Sequence, residues 1–323
     1  MILTKTPFRI SFAGGGSDYI ASSNLYGQVI SATINKYIYV MINKKHDNKI
    51  RISYSKTENV NNVNQIKHLI IKNCLKYCGI SKGIEIVIMA DIPSSGSGLG
   101  SSSSLTVGLL KALYEFKKKK IKNKDLALKA YHVEAIMGRK KIGLQDHFNA
   151  TYGGFKNYIF KSKNEIKINN ISLNTIQKIN FLNKLSLYYT GINRKADKIL
   201  GSINKTYNDQ KRKKLIDDSK RFKFLLKKNN YNEIGKILSK SWEYKKNFGS
   251  KKVQKILNSY YLKAEKQGMY GGKILGAGGG GYFLFISDSA KKKSIKKVLN
   301  NLEEIKFDFS KRGSEVVYND QIW

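Results

Sequence analysis

A serine-glycine loop, two carboxylates and an arginine carry the chemistry available to this sequence. The loop is Asp91-Ile-Pro-Ser-Ser-Gly-Ser-Gly-Leu-Gly-Ser-Ser-Ser-Ser104. Its glycines Gly96, Gly98 and Gly100 let backbone N–H groups converge without Cβ clashes, which makes a nest for an anion. The apolar run Leu105, Leu109, Leu110 and Leu113 follows at helical spacing. The unpaired N–H groups and positive end of that helix therefore face the same place. The serines add hydroxyls for phosphate oxygens or for Mg²⁺. No Lys lies in the loop, so it is not a Walker loop, and its G-x-G-x-G spacing is not the dinucleotide fingerprint.

Glu134 falls near the C-terminal end of a helix, where the macrodipole disfavours negative charge and a bound cation would offset it. Asp146 closes Gly143-Leu-Gln-Asp146, and Arg9 lies in Pro7-Phe-Arg-Ile-Ser-Phe-Ala-Gly-Gly-Gly-Ser-Asp18. Taken singly, Glu134 fits a surface residue and Asp146 a helix N-cap just as well, and His147 reads as structural. Together, the nest, a hydroxyl, two carboxylates and an arginine are the parts needed for Mg²⁺-dependent phosphoryl transfer.

The elements that must position these groups follow from periodicity. Residues 8–12, 36–43 and 49–54 read as strands, 63–78 as helical, and 83–91 as the strand that delivers the loop. Helices over 102–116 and 125–137 come next, the latter stopped by Gly138. A strand over 155–160 closes the first half. The polar stretch 161–184 marks the boundary, giving domains 1–180 and 181–323. The second half opens on a strand at 185–190 and continues with basic amphipathic helices to about 267. A glycine-loop strand over 274–286, one more helix and a short terminal strand complete an α+β, two-domain chain. Gly276-Ala-Gly-Gly-Gly-Gly281 matches G-x-G-x-x-G, but a strand follows it instead of a helix. A close approach of another backbone fits that loop better.

Composition narrows the function. The chain has 323 residues, 41% hydrophobic and 26% charged, which excludes a disordered chain. No apolar stretch is long enough for a membrane helix and the first residues carry no leader pattern, so a cytoplasmic protein with no membrane partner is expected. Cys74 and Cys78 stand four apart in a helical run and read as small apolar residues. The formal net charge is +37, yet all but seven of the 60 basic residues are lysine, spread along the chain. Nucleic-acid recognition favours clustered arginine with exposed aromatics. No nucleic-acid partner is expected, although such a module remains the alternative from a different class. The charge should still attract anionic small molecules.

With the three glycine segments in this order, 7–18, 93–104 and 273–282, the sequence resembles the GHMP kinase superfamily. That resemblance implies an N-terminal α+β domain with a left-handed crossover packed on a ferredoxin-like C-terminal domain, the active site lying between them. Within the superfamily, the segments 7–19, Arg51-Ile-Ser-Tyr-Ser-Lys-Thr-Glu58, Gly143-Leu-Gln-Asp146 and Tyr189-Thr-Gly-Ile-Asn-Arg194 resemble D-glycero-D-manno-heptose 7-phosphate kinases. Galactokinases carry Glu-His where this chain has Gly15 and Gly16, which argues against galactose. A fucokinase-like sugar 1-kinase remains open.

The resemblance implies ATP phosphates on Ser95, Gly96, Ser97, Gly98, Leu99, Gly100, Ser101 and Ser102, with Mg²⁺ held by Ser102 and Glu134. It implies Asp146 as the group that takes the acceptor's proton and Arg9 as its partner. Gly14, Gly15, Gly16, Ser17 and Asp18 would line the sugar pocket, and Lys56 or Arg194 would meet the sugar's phosphate. Gly278, Gly279 and Gly280, with Gly281, would buttress the phosphate loop. The partners implied are ATP and a sugar phosphate, the product feeding nucleotide-activated heptose for a surface polysaccharide. A homodimer is left open.

Overall fold

The computed structural model describes residues 1–19, 26–94, 96–162, 165–192 and 209–320. Two sheets organise them. The larger has eight strands, with the path β12-β1-β2-β5-β3-β4; β6 pairs with β2, and β7 with β6. These strands are β1 (Ile2–Ala13), β2 (Gly27–Lys44), β3 (Ile50–Ser53), β4 (Thr57–Val60), β5 (Ile84–Ala90), β6 (Phe155–Phe160), β7 (Ile166–Asn170) and β12 (Glu315–Asn319). The long β2 serves two partners on one edge: its first residues pair with β6 and its last with β5.

Four helices belong with this sheet: α1 (Leu69–Tyr77), α2 (Ser101–Phe116), α3 (Asn123–Tyr131) and α4 (Gln145–Tyr152). α2 buries ten of its residues against the sheet and its neighbours. Cys74 and Cys78 are free and buried on α1, as small apolar residues are.

After α5 (Thr175–Lys184), the smaller sheet runs β11-β8-β10-β9, antiparallel throughout. It consists of β8 (Leu185–Tyr189), β9 (Met269–Ile274), β10 (Tyr282–Ser287) and β11 (Glu303–Glu304), with helices α6 (Asp209–Lys227), α7 (Tyr231–Lys245) and α8 (Lys251–Lys266) before β9 and α9 (Lys292–Val298) before β11. Renumbered within the sheet, the order is 4-1-3-2, that of a ferredoxin-like unit. The glycine-loop strand expected over 274–286 is two strands, β9 and β10, with the loop between them.

The chain then crosses back, because β12 pairs antiparallel with β1. A split into 1–180 and 181–323 does not anticipate this: the last strand completes the first sheet. Phe12, at the end of β1, ties the halves together. Its ring lies 5.4 Å from Phe155 and Phe222, 5.5 Å from Phe181 and 6.2 Å from Phe309. Each such pair contributes about 0.5–1.5 kcal/mol beyond its buried area. The cluster fixes the strand end from which the first glycine turn departs. Among the described residues no helix is long and apolar enough to cross a membrane.

Candidate active site

The phosphate loop occupies the link from β5 to α2. Gly96, Gly98 and Gly100 all take positive φ (63°, 79° and 75°), a conformation that admits glycine and few other residues. Gly100 is the N-cap of α2, and no side chain caps that helix. Its first N–H groups are left for a ligand. Ser97 turns inward, its Oγ accepting from Leu99 N at 3.2 Å, so within the loop it serves the backbone. Ser95 lies outside the described residues.

Arg9 and Asp146 meet over this loop. Arg9 Nε and Nη2 each donate to one oxygen of Asp146, both at 2.8 Å, and Nη1 donates to Gly98 O at 2.7 Å. The arginine side chain is 5% exposed and the aspartate 26%. One guanidinium thus fixes the carboxylate, from the first turn of α4, against the anion nest. A planar fork does this where an ammonium cannot.

Glu134 departs from the expected helix end. Residues His132–Met137 form a π-helical turn, a widened segment common at functional sites. It carries Glu134 inward to 2% exposure. Ser103 Oγ donates to Glu134 Oε2 at 2.9 Å and His147 Nε2 lies 3.0 Å from the same oxygen. Lys140 Nζ approaches Oε1 at 3.5 Å. Burial alone would raise this carboxyl, but His147, then Lys140 and the Ser102 hydroxyl, outweigh it and hold it down to about 2. The Lys140 ammonium marks a place for positive charge beside Oε1. The carboxylate of Glu134 with the Ser102 hydroxyl beside it offers the hard oxygen donors that suit Mg²⁺. Among the described residues no three His, Cys, Asp or Glu group together as a metal cluster. The remaining oxygens around a Mg²⁺ would therefore come from phosphates and water.

The first glycine turn behaves differently from expectation. Ser17 is fully buried; its Oγ donates within the turn and accepts from Gln28 N at 3.0 Å. Asp18 is 1% exposed and accepts from Gly16 N (3.0 Å), Gln145 N (3.0 Å) and Gln145 Nε2 (2.9 Å). Burial is the main reason its carboxyl is raised, with Asp146 adding to it. Both residues, expected to face substrate, point inward because a tight turn needs short polar side chains for its stranded backbone groups. Asp18 instead anchors the start of α4 and so the direction of Asp146. Gly14 is buried, while Gly15 and Gly16 stay partly open.

Lys56 is exposed in the β3–β4 turn, and two strands, β2 and β5, separate that hairpin from β1, which carries Arg9. Arg194 lies outside the described residues. In the third loop, Gly278 abuts Phe248 and Lys245, and Gly280 abuts Ile192. The contact with the phosphate loop is made at Gly281 and Tyr282: Tyr282 N donates to Ser97 O at 3.2 Å and Tyr282 Oη to Pro93 O at 3.0 Å. A Cβ on Gly281 would sit 2.2 Å from Ser97 O. Lys140, Ser103 and Gln145 were not singled out from sequence, and His147 was read as structural; His147 and Gln145 flank Asp146, which was the available signal.

Residues 64–154 match the GHMP kinases N terminal domain, and residues 223–304 match GHMP kinases C terminal. The D-glycero-alpha-D-manno-heptose 7-phosphate kinase of Campylobacter jejuni is 30% identical, over 96% of both chains. The mevalonate kinase of Methanocaldococcus jannaschii is 31% identical over 78% of each. A solved D-glycero-D-manno-heptose 1-phosphate kinase from Bacteroides thetaiotaomicron shares the fold, with a TM-score of 0.78 at 24% identity over 99% of this chain and 100% of that one. Both domain models match in order and a relative 30% identical is covered almost end to end: the chain belongs to the GHMP kinases and is a phosphotransferase with an alcohol acceptor.

Proposed function

We propose that this kinase transfers the γ-phosphoryl group of ATP to the anomeric C1 hydroxyl of D-glycero-D-manno-heptose 7-phosphate, giving the 1,7-bisphosphate. The observation that carries the transfer is the Arg9 fork, which holds both oxygens of Asp146 and the Gly98 carbonyl of the loop. The choice of acceptor is supported by the Campylobacter jejuni relative, which matches over nearly all of both chains.

In this reading the triphosphate lies in the nest formed by residues 96–102, its charge met by loop N–H groups and the end of α2. The acceptor sits over Gly14, Gly15 and Gly16 with its C1 oxygen at Asp146. That oxygen forms a bond to the γ-phosphorus as the bond from phosphorus to the ADP oxygen breaks. The hydroxyl proton passes to Asp146. Arg9 keeps the carboxylate aimed and meets charge developing on the transferred group. Ser102 and Glu134 would hold Mg²⁺, which when bound neutralises phosphate charge.

A coupled assay with ATP and heptose 7-phosphate tests both parts. Wild-type protein should form ADP and the 1,7-bisphosphate. Asp146→Asn, checked for folding by circular dichroism, should lose about 10²–10⁴-fold in kcat. Phosphate appearing at another hydroxyl would overturn the acceptor assignment. Near-normal turnover in Asp146→Asn would overturn the role of the carboxylate.

A further inference from the structure

The two oxygens of Glu134 are held differently. Ser103 Oγ and His147 Nε2 take Oε2, while Oε1 faces Lys140 Nζ at 3.5 Å. Residues six apart do not meet on an α-helix, where side-chain neighbours stand three or four apart. Here the π-helical turn ends at Gly138, a Cβ on which would lie 2.3 Å from Glu134 O, and Arg139 takes a left-handed φ of 51°. Lys140 N then donates to Ala135 O at 2.9 Å, which folds residue 140 back over the turn that carries Glu134. The lysine backbone is thereby fixed, while its side chain, 21% exposed, borders solvent. A charged pair locked by a hydrogen bond closes to about 2.7–2.9 Å. At 3.5 Å the ammonium balances the carboxylate without being locked to it.

We propose that Lys140 is a placeholder cation: in the free enzyme its ammonium compensates Glu134 and keeps a bare divalent cation out, and when nucleotide arrives it passes from Oε1 to an oxygen of the triphosphate. A buried carboxylate needs a compensating charge in the resting enzyme. Oε1 cannot serve an ammonium and a divalent cation together, because two cations a few Å apart repel strongly where water is largely excluded. Lys140 therefore yields to a cation that brings with it an acceptor for the ammonium. The magnesium complex of ATP does so, being negative overall, whereas the bare ion offers nothing in exchange. A flexible stem with three rotatable donors suits such a transfer between two acceptors, as a rigid guanidinium like that of Arg9 does not. The inference rests on the reading of Glu134 as a Mg²⁺ ligand and adds the order in which metal and nucleotide enter.

The experiment titrates Mn²⁺ into nucleotide-free protein, reading bound metal by electron paramagnetic resonance, with folding checked by circular dichroism. It compares wild type with Lys140→Met, with Lys141→Met, which removes the same charge from the exposed next residue, and with the double variant Lys140→Met/Glu134→Gln. Lys140→Met should bind Mn²⁺ at least about tenfold more tightly than wild type, because a repelling charge has left. Lys141→Met should match wild type, and the double variant should lose the gain. In the kinase assay Lys140→Met should move the other way, raising KM for magnesium ATP by about tenfold. Loss of a merely structural lysine would not tighten metal binding. Equal Mn²⁺ affinity in wild type and Lys140→Met, a gain that survives Glu134→Gln, or an unchanged KM would overturn the proposal. Failure of the underlying reading shows separately, as Glu134→Gln protein that binds Mn²⁺ as wild type does in the presence of a non-hydrolysable ATP analogue.

Discussion

The distance from Arg9 to Asp146 matters less than its geometry. Two parallel bonds at 2.8 Å and a third to Gly98 O use three nitrogens of a rigid plane. Lysine supplies the same charge without the fork. Arg9→Lys is therefore expected to lose about 10²–10³-fold in kcat, the range for removing an oriented donor. Steady-state kinetics with circular dichroism as a folding control would check it; kcat within threefold of wild type would mean that charge alone suffices. At this scale the sequence was legible where one residue has one duty. Arg9, Asp146 and Glu134 stood out only as a set, and their roles came from the family resemblance. Ser17 and Asp18 could not be assigned correctly, since a short polar residue after glycines serves the turn or the ligand with the same pattern. Lys140 and Ser103 left no signal, because their roles depend on a widened helical turn that no spacing rule announces.

Among the elements, the third glycine loop shows how the second sheet reaches the first. Gly281 takes φ +91° with its would-be Cβ 2.2 Å from Ser97 O, whereas Gly191, at φ +68°, faces open space. Gly281→Ala should raise KM for ATP by at least about tenfold, since a displaced loop loses more than one hydrogen bond of about 1 kcal/mol. Gly191→Ala, with similar backbone strain but no clash, should leave that KM unchanged. Equal KM shifts in the two would show that strain, not the loop contact, matters. The strand β9 makes a second tie through Lys273, 4% exposed, whose Nζ donates to Phe12 O at 2.7 Å. Burial, with Lys245 and Arg9 adding to it, lowers this ammonium well below its ordinary 10.5. A lysine depressed in the fold makes its full contribution to stability above pH 10.5, and loses it as pH falls through the folded value. Wild type should therefore gain melting temperature relative to Lys273→Met as pH rises from 7 toward 10. Parallel curves for the two would place the lysine charge in water. Periodicity revealed most of these elements, and the turn between β9 and β10 was read as a place of close approach. It could not reveal that β2 serves two strands or that β12 returns to β1, since pairing between distant segments leaves no local trace.

For the whole molecule the dominant quantity is charge. Even if every one of the 23 acidic residues neutralised one base, 37 of the 60 would remain uncompensated. The lysines are dispersed along the sequence and add up to a positive potential around the protein. Both proposed substrates, ATP and a sugar phosphate, are anions that would approach through this field before any hydrogen bond forms. Such attraction acts over the Debye length, about 10 Å at 0.1 M salt and about 3 Å at 1 M. Added salt should then act on encounter and leave the chemical step alone, because Arg9 and Glu134 are buried and little screened. The expected result is a fall in kcat/KM for both anionic substrates between about 0.05 and 0.5 M NaCl, with kcat nearly constant. The non-phosphorylated heptose, lacking the anion, supplies the control: its kcat/KM at saturating ATP should change much less. Equal salt dependence for the neutral and the phosphorylated sugar would mean that the excess charge plays no part in capture and that only the groups lining the site recognise the phosphate.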